Sequence, residues 1–226
     1  MNATDVRPIL PRYKLVFSSA ARLAAILCVF TGFATYPAAL RAQTVHTITA
    51  PAAAAIAARP ETPAAGARDG DVTIIEFLDY NCPFCKKTAP ELQKLLHADP
   101  RVGILYKEWP VFGDVSVYAA RSALAANWQG KFLAAHNALI SAPHDLDETT
   151  QVDSLLKSAG VDLRRLADDR ALHAADIDAT LARNAAEARG LGLRGTPGFL
   201  IGRQLVPLAL TLQQLQQLTA NARAAL

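Results

Sequence analysis

A chain of 226 residues, 51% hydrophobic and 19% charged, is long enough to bury one sizeable core and too apolar to be disordered in bulk. Its net charge of +3 originates in residues 1–42, where Arg7, Arg12, Lys14, Arg22 and Arg41 stand against a single acid, Asp5. Beyond them 18 Lys/Arg are balanced by 19 Asp/Glu, and no basic stripe remains to hold nucleic acid.

Residues 1–42 read as a secretory signal. A basic stretch ends at Arg22, an apolar run covers Leu23 to Ala34, and small residues lead to Ala42. Cleavage is placed after Ala42, with Ala39 as a second position. An uncleaved membrane anchor over Leu23 to Leu40 is the alternative, just long enough to span and interrupted by Pro37. Cleavage would remove Cys28 and leave Cys82 and Cys85 as the only cysteines. Export, to the periplasm or beyond, places that pair in a compartment where disulfides persist.

Residues 43–70 are rich in Ala and Pro without an amphipathic period, and are read as a linker with little fixed structure. Within them Thr44 to Thr49 alternates like a short edge strand. No heptad pattern marks a coiled-coil stem. The ordered domain is expected over 71–226. Val72–Leu78 is a nearly continuous apolar run and reads as a buried central strand. Pro83 suits the first turn of a helix that continues through Leu92, Leu95 and Leu96 and ends at Asp99-Pro100. Val102 to Tyr106 is a second strand, so the first half is a parallel strand–helix–strand unit.

From about 114 to 190 the pattern is helical throughout, punctuated by Gly130, Gly160 and a capping Asp162. This block reads as a helical subdomain inserted into the α/β chain. Phe199–Ile201 and Gln204–Val206 form a hairpin around Gly202-Arg203. Thr211-Leu-Gln-Gln214 is a capping box that opens the last helix.

Cys82-Pro-Phe-Cys85 lies where the central strand gives way to a helix. Thiol exchange needs a thiolate, and the unsatisfied N–H groups of a helix N-terminus stabilise one. Cys82 is expected to be the exposed attacking sulfur, and Cys85, one turn inside, to resolve the mixed disulfide. A disulfide across two residues closes too small a loop to staple a fold. A zinc site lacks a second cysteine pair.

Two motifs carry a family resemblance. Glu76-Phe-Leu-Asp-Tyr-Asn-Cys-Pro-Phe-Cys-Lys-Lys-Thr-Ala-Pro90 resembles the active-site segment of thioredoxin-fold proteins, and Gly195-Thr-Pro-Gly-Phe-Leu-Ile-Gly202 resembles their cis-proline loop. With the helical insert and Lys107-Glu-Trp-Pro110, the chain over 71–226 is similar to the DsbA-like branch of thiol-disulfide oxidoreductases. The resemblance implies an α/β thioredoxin fold with an all-helical subdomain between its halves. It implies a cis Thr196–Pro197 peptide facing the cysteines, with Thr196 pairing to substrate backbone. It also implies a buried acid at Glu76 that moves a proton at Cys85; outward alternation of Glu76 is the other reading, and Lys107 is a candidate partner for it. Pro90 resembles the proline inside the thioredoxin helix. His136, Trp109 and Trp128 read as packing residues.

The implied activity is disulfide exchange with cysteine-containing exported proteins, with no cofactor, and recycling by a membrane redox partner. Pro83 is similar to oxidising relatives and Thr196 to isomerase-type ones. Phe84 adds no polar donor to the thiolate, which implies a mild oxidant. A soft-metal module holding copper(I) on the two thiolates and a peptide-binding chaperone are the alternatives.

Overall fold

The computed structural model describes residues 45–58 and 61–226. The signal, anchor and Cys28 readings fall on residues outside this range. Among the described residues no helix is long and apolar enough to cross a membrane.

Among the described residues a six-stranded mixed sheet runs in the order β1 (His46–Thr47), β6 (Gln204–Val206), β5 (Gly198–Ile201), β3 (Val72–Leu78), β4 (Val102–Glu108), β2 (Ala64–Gly66). Its centre is β3 (Val72–Leu78), the apolar run that the sequence marks, paired in parallel with β4 (Val102–Glu108) and antiparallel with β5 (Gly198–Ile201). β6 (Gln204–Val206) completes the hairpin. Both faces of β3 are covered, so its residues cannot alternate between apolar and polar. Val72, Ile74 and Leu78 face a core built with α2 (Pro83–Ala98), α8 (Leu212–Ala224) and the helical insert, while Ile75 and Phe77 face Ile56, Ala188, Leu193 and Leu200.

The insert comprises α3 (Asp114–Ala126), α4 (Phe132–Ile140), α5 (Thr149–Ser158), α6 (Leu163–Leu172) and α7 (Ala174–Gly190). The expected caps are in place. Asp162 accepts from the N–H groups of Arg164 and Arg165, and Thr211 and Gln214 close a reciprocal capping box. α6 is a full ten-residue helix rather than the short turn expected after Asp162.

The linker reading of 43–70 requires correction. β1 (His46–Thr47) pairs with β6, as the expected edge strand does. α1 (Ala50–Ala57) follows, capped by Thr49, and buries Ile56 against the sheet. β2 (Ala64–Gly66) then pairs antiparallel with β4. Order therefore begins before Asp71. The reason is steric: alanine forms helix readily and lies close to a sheet without needing a stripe of large residues. Gly66 takes φ +71, and a Cβ there would come 2.4 Å from the Val102 carbonyl oxygen.

Trp109 is buried, as expected, but Trp128 is 41% exposed and stacks on His173 with ring centroids 4.0 Å apart.

Candidate functional site

The chain reverses direction at the end of β3, and four hydrogen bonds fix that reversal. The buried carboxyl of Asp79 accepts from the N–H groups of Asn81 (2.7 Å), Val111 (2.6 Å) and Phe112 (3.0 Å) and from the Ser116 hydroxyl (2.8 Å). One side chain thus ties the turn before Cys82 to the loop after β4 and to the first turn of α3. Asn81 adds a two-way bond with the main chain of Leu146. Sequence reasoning missed Asp79. Its only local signal is a lone acid at the end of an apolar strand, three residues before a cysteine.

Cys82 is the N-cap of α2 and Pro83 occupies its first turn, where a missing N–H leaves no bond unmade. The Cys82 sulfur accepts from the Cys85 N–H at 3.4 Å, and its thiol donates to the Thr196 carbonyl at 3.1 Å. Thr196–Pro197 is a cis peptide. The two motifs, 114 residues apart, therefore meet at one sulfur. Both cysteines are free thiols.

The expectation of an exposed Cys82 is overturned: its exposure is 0%, while neighbouring Phe84 is 59% exposed. The helix end and the Thr196 loop enclose the sulfur from two sides, a closure that only the distant loop supplies. Outside it, a groove of about 640 Å³ is lined by Phe84, Arg194, Thr196, Pro197 and Leu208 among others.

The electrostatics divide the two thiols. The Cys82 pKa is lowered to about 6. The hydrogen bond with the Cys85 side chain is the largest cause, with Thr196 and the N–H groups of Cys85 and Phe84 acting the same way against burial. The buried Thr196 hydroxyl has no partner while Cys82 is a thiol. It is free to turn and donate once a thiolate forms. Cys85 moves the opposite way: burial first, then its bond to Cys82 and the charges of Glu76 and Cys82, hold its proton far above the ordinary thiol range. Thiolate absorbance of the reduced protein should therefore rise with a midpoint near pH 6. Thr196→Val should raise that midpoint by roughly half a unit to one unit. A wild-type midpoint in the ordinary thiol range of about 8.5 would contradict this electrostatic account.

Glu76 points inward, 2% exposed, on the face of β3 that covers α2. Burial, and then the negative charge of Cys82, push its pKa up to about 8. Lys107 sits opposite Phe77 in the β3–β4 register, and so lies on the other sheet face from Glu76. Its ammonium donates to Glu187 in α7 at 2.6 Å. His136 is buried, as expected, and is hydrogen-bonded through Nδ1 to the Tyr80 hydroxyl. Pro90 lies inside α2.

A thiol primed at a helix N-terminus, a second thiol that keeps its proton, and a buried acid beneath them can carry out two-electron dithiol–disulfide chemistry.

Comparison with known proteins gives a consistent result. The family model described as DSBA-like thioredoxin domain matches residues 73–220. A thioredoxin-like oxidoreductase from Silicibacter pomeroyi DSS-3 superposes with a TM-score of 0.73 at 39% identity, covering 76% of this chain and 98% of that one. The thiol-disulfide exchange protein alpha-DsbA2 from Wolbachia pipientis gives 0.68 at 26% identity, covering 72% and 87%. A periplasmic thioredoxin-like protein from Salmonella enterica serovar Typhimurium gives 0.65 at 29%, covering 79% and 99%. Among curated sequences, the Na(+)/H(+) antiporter NhaA 3 of Salinispora tropica is 32% identical over 147 residues. That match takes in 60% of this chain and spans about a fifth (21%) of the antiporter's length.

Proposed function

The chain belongs to the DSBA-like thioredoxin domain family, and from that premise we propose that it is a thiol-disulfide oxidoreductase acting on cysteine-containing exported proteins through Cys82 and Cys85. The observation that carries this reading is the convergence on one sulfur of the α2 N-terminus, the second thiol and the cis Thr196–Pro197 loop.

The exchange is written for the oxidising direction; the reducing direction is its reverse. A substrate thiolate attacks the Cys82 sulfur of the Cys82–Cys85 disulfide. The new bond joins substrate to Cys82, and Cys85 leaves as a thiolate. Glu76, protonated at neutral pH, gives its proton to Cys85 and becomes a carboxylate. The substrate's second thiol loses its proton, which returns to Glu76, and the resulting thiolate attacks the mixed disulfide. Substrate departs as a disulfide, Cys82 is left as the stabilised thiolate and Cys85 as a thiol. Charge and protons balance with one proton passing from substrate to Cys85 through Glu76.

Thr196 supplies main-chain groups with which an extended substrate segment can pair, as an added strand does. Because Cys82 is enclosed in the resting state, the approaching strand takes the place of the Thr196 carbonyl against the sulfur. Residues 1–42 export the chain, and a membrane redox protein returns the cysteines to their working state.

Replacing Glu76 with Gln tests the proton step. Exchange at pH 7 should fall roughly tenfold to a hundredfold, at the lower end of acid–base effects because thiolates leave easily. Stability should change in the opposite sense. Folded Glu76 keeps its proton up to about pH 8, whereas the unfolded chain releases it in the ordinary carboxylate range near 4.5. The folded state thus binds more protons between these values, and Glu76 lowers stability progressively as pH rises through them. At pH 8 the Glu76→Gln protein should be more stable than wild type by roughly 4 kcal/mol. Loss of activity together with loss of stability would assign Glu76 to structure alone.

A further inference from the structure

A second buried acid lies on the same sheet face as Glu76. In the β3–β4 register Glu76 pairs with Tyr106 and Leu78 with Glu108. Residues two apart on a strand share a face, so Glu76, Tyr106 and Glu108 point into one core as near neighbours across two paired strands. Glu108 is fully buried. Its Oε1 accepts from the Tyr80 hydroxyl at 2.6 Å, while Oε2 has no hydrogen-bond partner. The Tyr80 oxygen lies 3.2 Å from His136 Nδ1 in α4, and the His136 ring packs on Tyr106 at 4.1 Å. On the main-chain side, Asn184 of α7 donates to the Glu108 carbonyl oxygen at 3.1 Å.

We propose that Glu108 is a second acid of this site, coupled to Glu76 through their shared face: both carboxyls hold their protons at neutral pH and release them one after the other as pH rises, Glu76 first, and loss of the second proton sets the alkaline limit of the site. This rests on the exchange function proposed for Cys82 and Cys85, and Glu108 acts through Glu76 as a positioning residue.

The surroundings explain why Glu108 is the later of the two to ionise. A carboxylate held by one hydrogen bond in a dry core is poorly compensated. Burial pushes the Glu108 proton affinity well up, and the charges of Asp79 and Glu76 add to it; only the Tyr80 bond opposes. His136, on the other side of Tyr80, is held neutral, its pKa pushed down to about 3 by burial, so it supplies no countercharge. Tyr80 and Tyr106 are themselves raised by burial and by these acids, and both remain protonated. A charge on Glu108 would therefore stand beside that of Glu76 with no cation facing either on this side of the sheet among the groups named. Like charges so placed ionise in two separate steps that belong to the pair.

The test follows the carbonyl stretch of protonated carboxyl groups by infrared difference spectroscopy against pH, on the reduced full chain. Wild type should lose two buried-acid signals in separate steps. Glu108→Gln should remove the upper step and leave the lower in place. Glu76→Gln should move the remaining step down by one pH unit or more, a tenfold or larger rise in acid constant, because the neighbouring charge is gone. Tyr80→Phe should move the upper step up, because the one bond that favours the carboxylate is lost. The reduction potential of the cysteine pair should show an alkaline break that Glu108→Gln abolishes. An upper step at the same pH in wild type and Glu76→Gln would overturn the coupling, as would titration of Glu108 in the ordinary carboxylate range. If Glu108→Gln does not fold, the opposed shifts of the other two variants decide. The infrared steps need no exchange activity, so a failure of the exchange reading is seen separately.

Discussion

Replacing Cys82 with serine is expected to reduce disulfide exchange to the uncatalysed background, and replacing Cys85 with alanine to trap substrates on Cys82. The two effects differ because the two sulfurs differ. Cys82 is the sulfur that the helix end and the Thr196 loop prepare as a thiolate. Serine in its place has neither the acidity nor the capacity to form the bond. Cys85 keeps its proton in a buried site, and in the proposed exchange it releases what Cys82 has captured. Without it a mixed disulfide can leave only through a second substrate thiol, so covalent complexes should accumulate on non-reducing gels of exported proteins. Activity that survives Cys82→Ser would point to the peptide-binding chaperone reading, which needs the groove but no thiolate. Tight copper(I) binding without exchange would point to the soft-metal reading.

The second large effect is expected at Asp79, a residue with no chemical role in the exchange. Its carboxyl accepts four hydrogen bonds, three of them from main-chain N–H groups. Alanine leaves those donors without their acceptor where a buried side chain joins the turn to the half-exposed loop after β4. At about 1 kcal/mol for each bond, Asp79→Ala should cost roughly 4 kcal/mol. In urea the midpoint should fall with an unchanged slope, and the melting temperature should drop by about 10 °C. Exchange should also weaken, because the same carboxyl fixes Asn81 and hence the approach to Cys82. Asp79→Asn keeps an acceptor and should recover a good part of both losses. A variant within 1 kcal/mol of wild type would show that the turn does not depend on this residue.

The legibility of the fold varied with the physical origin of each element. β3 was readable to its ends because a strand buried on both faces leaves a continuous apolar run between turn residues. The starts of α2 and α8 were readable because a first-turn proline and a capping box act locally. β1 was legible as an edge strand from the alternation of Thr44 to Thr49, but α1 and β2 were read as linker. Alanines that lie against a sheet carry no stripe, and the main-chain pairing of three small residues in β2 leaves no mark in the side chains.

At the site, the cysteine pair and the Thr196–Pro197 loop were visible as motifs, and the structure brings them together. The enclosure of Cys82 was not visible, because it is made by a carbonyl far along the chain. Glu76 was ambiguous for the reason that made β3 clear: on a strand buried on both faces, alternation does not say where a polar residue points. Asp79 and Glu108 were missed because their roles are defined by partners in other elements. Ser116 and the Val111–Phe112 loop meet the first, and Tyr80, with His136 behind it, meets the second.

Equilibration of the protein in graded glutathione buffers shows whether Cys82 and Cys85 form the working redox couple proposed for them. A reversible, single two-electron transition between dithiol and intramolecular disulfide is expected. Its potential should be milder than the roughly −120 mV of the strongest disulfide donors, since Phe84 adds no polar donor to the thiolate. Failure to form an intramolecular Cys82–Cys85 disulfide at any glutathione ratio would contradict it.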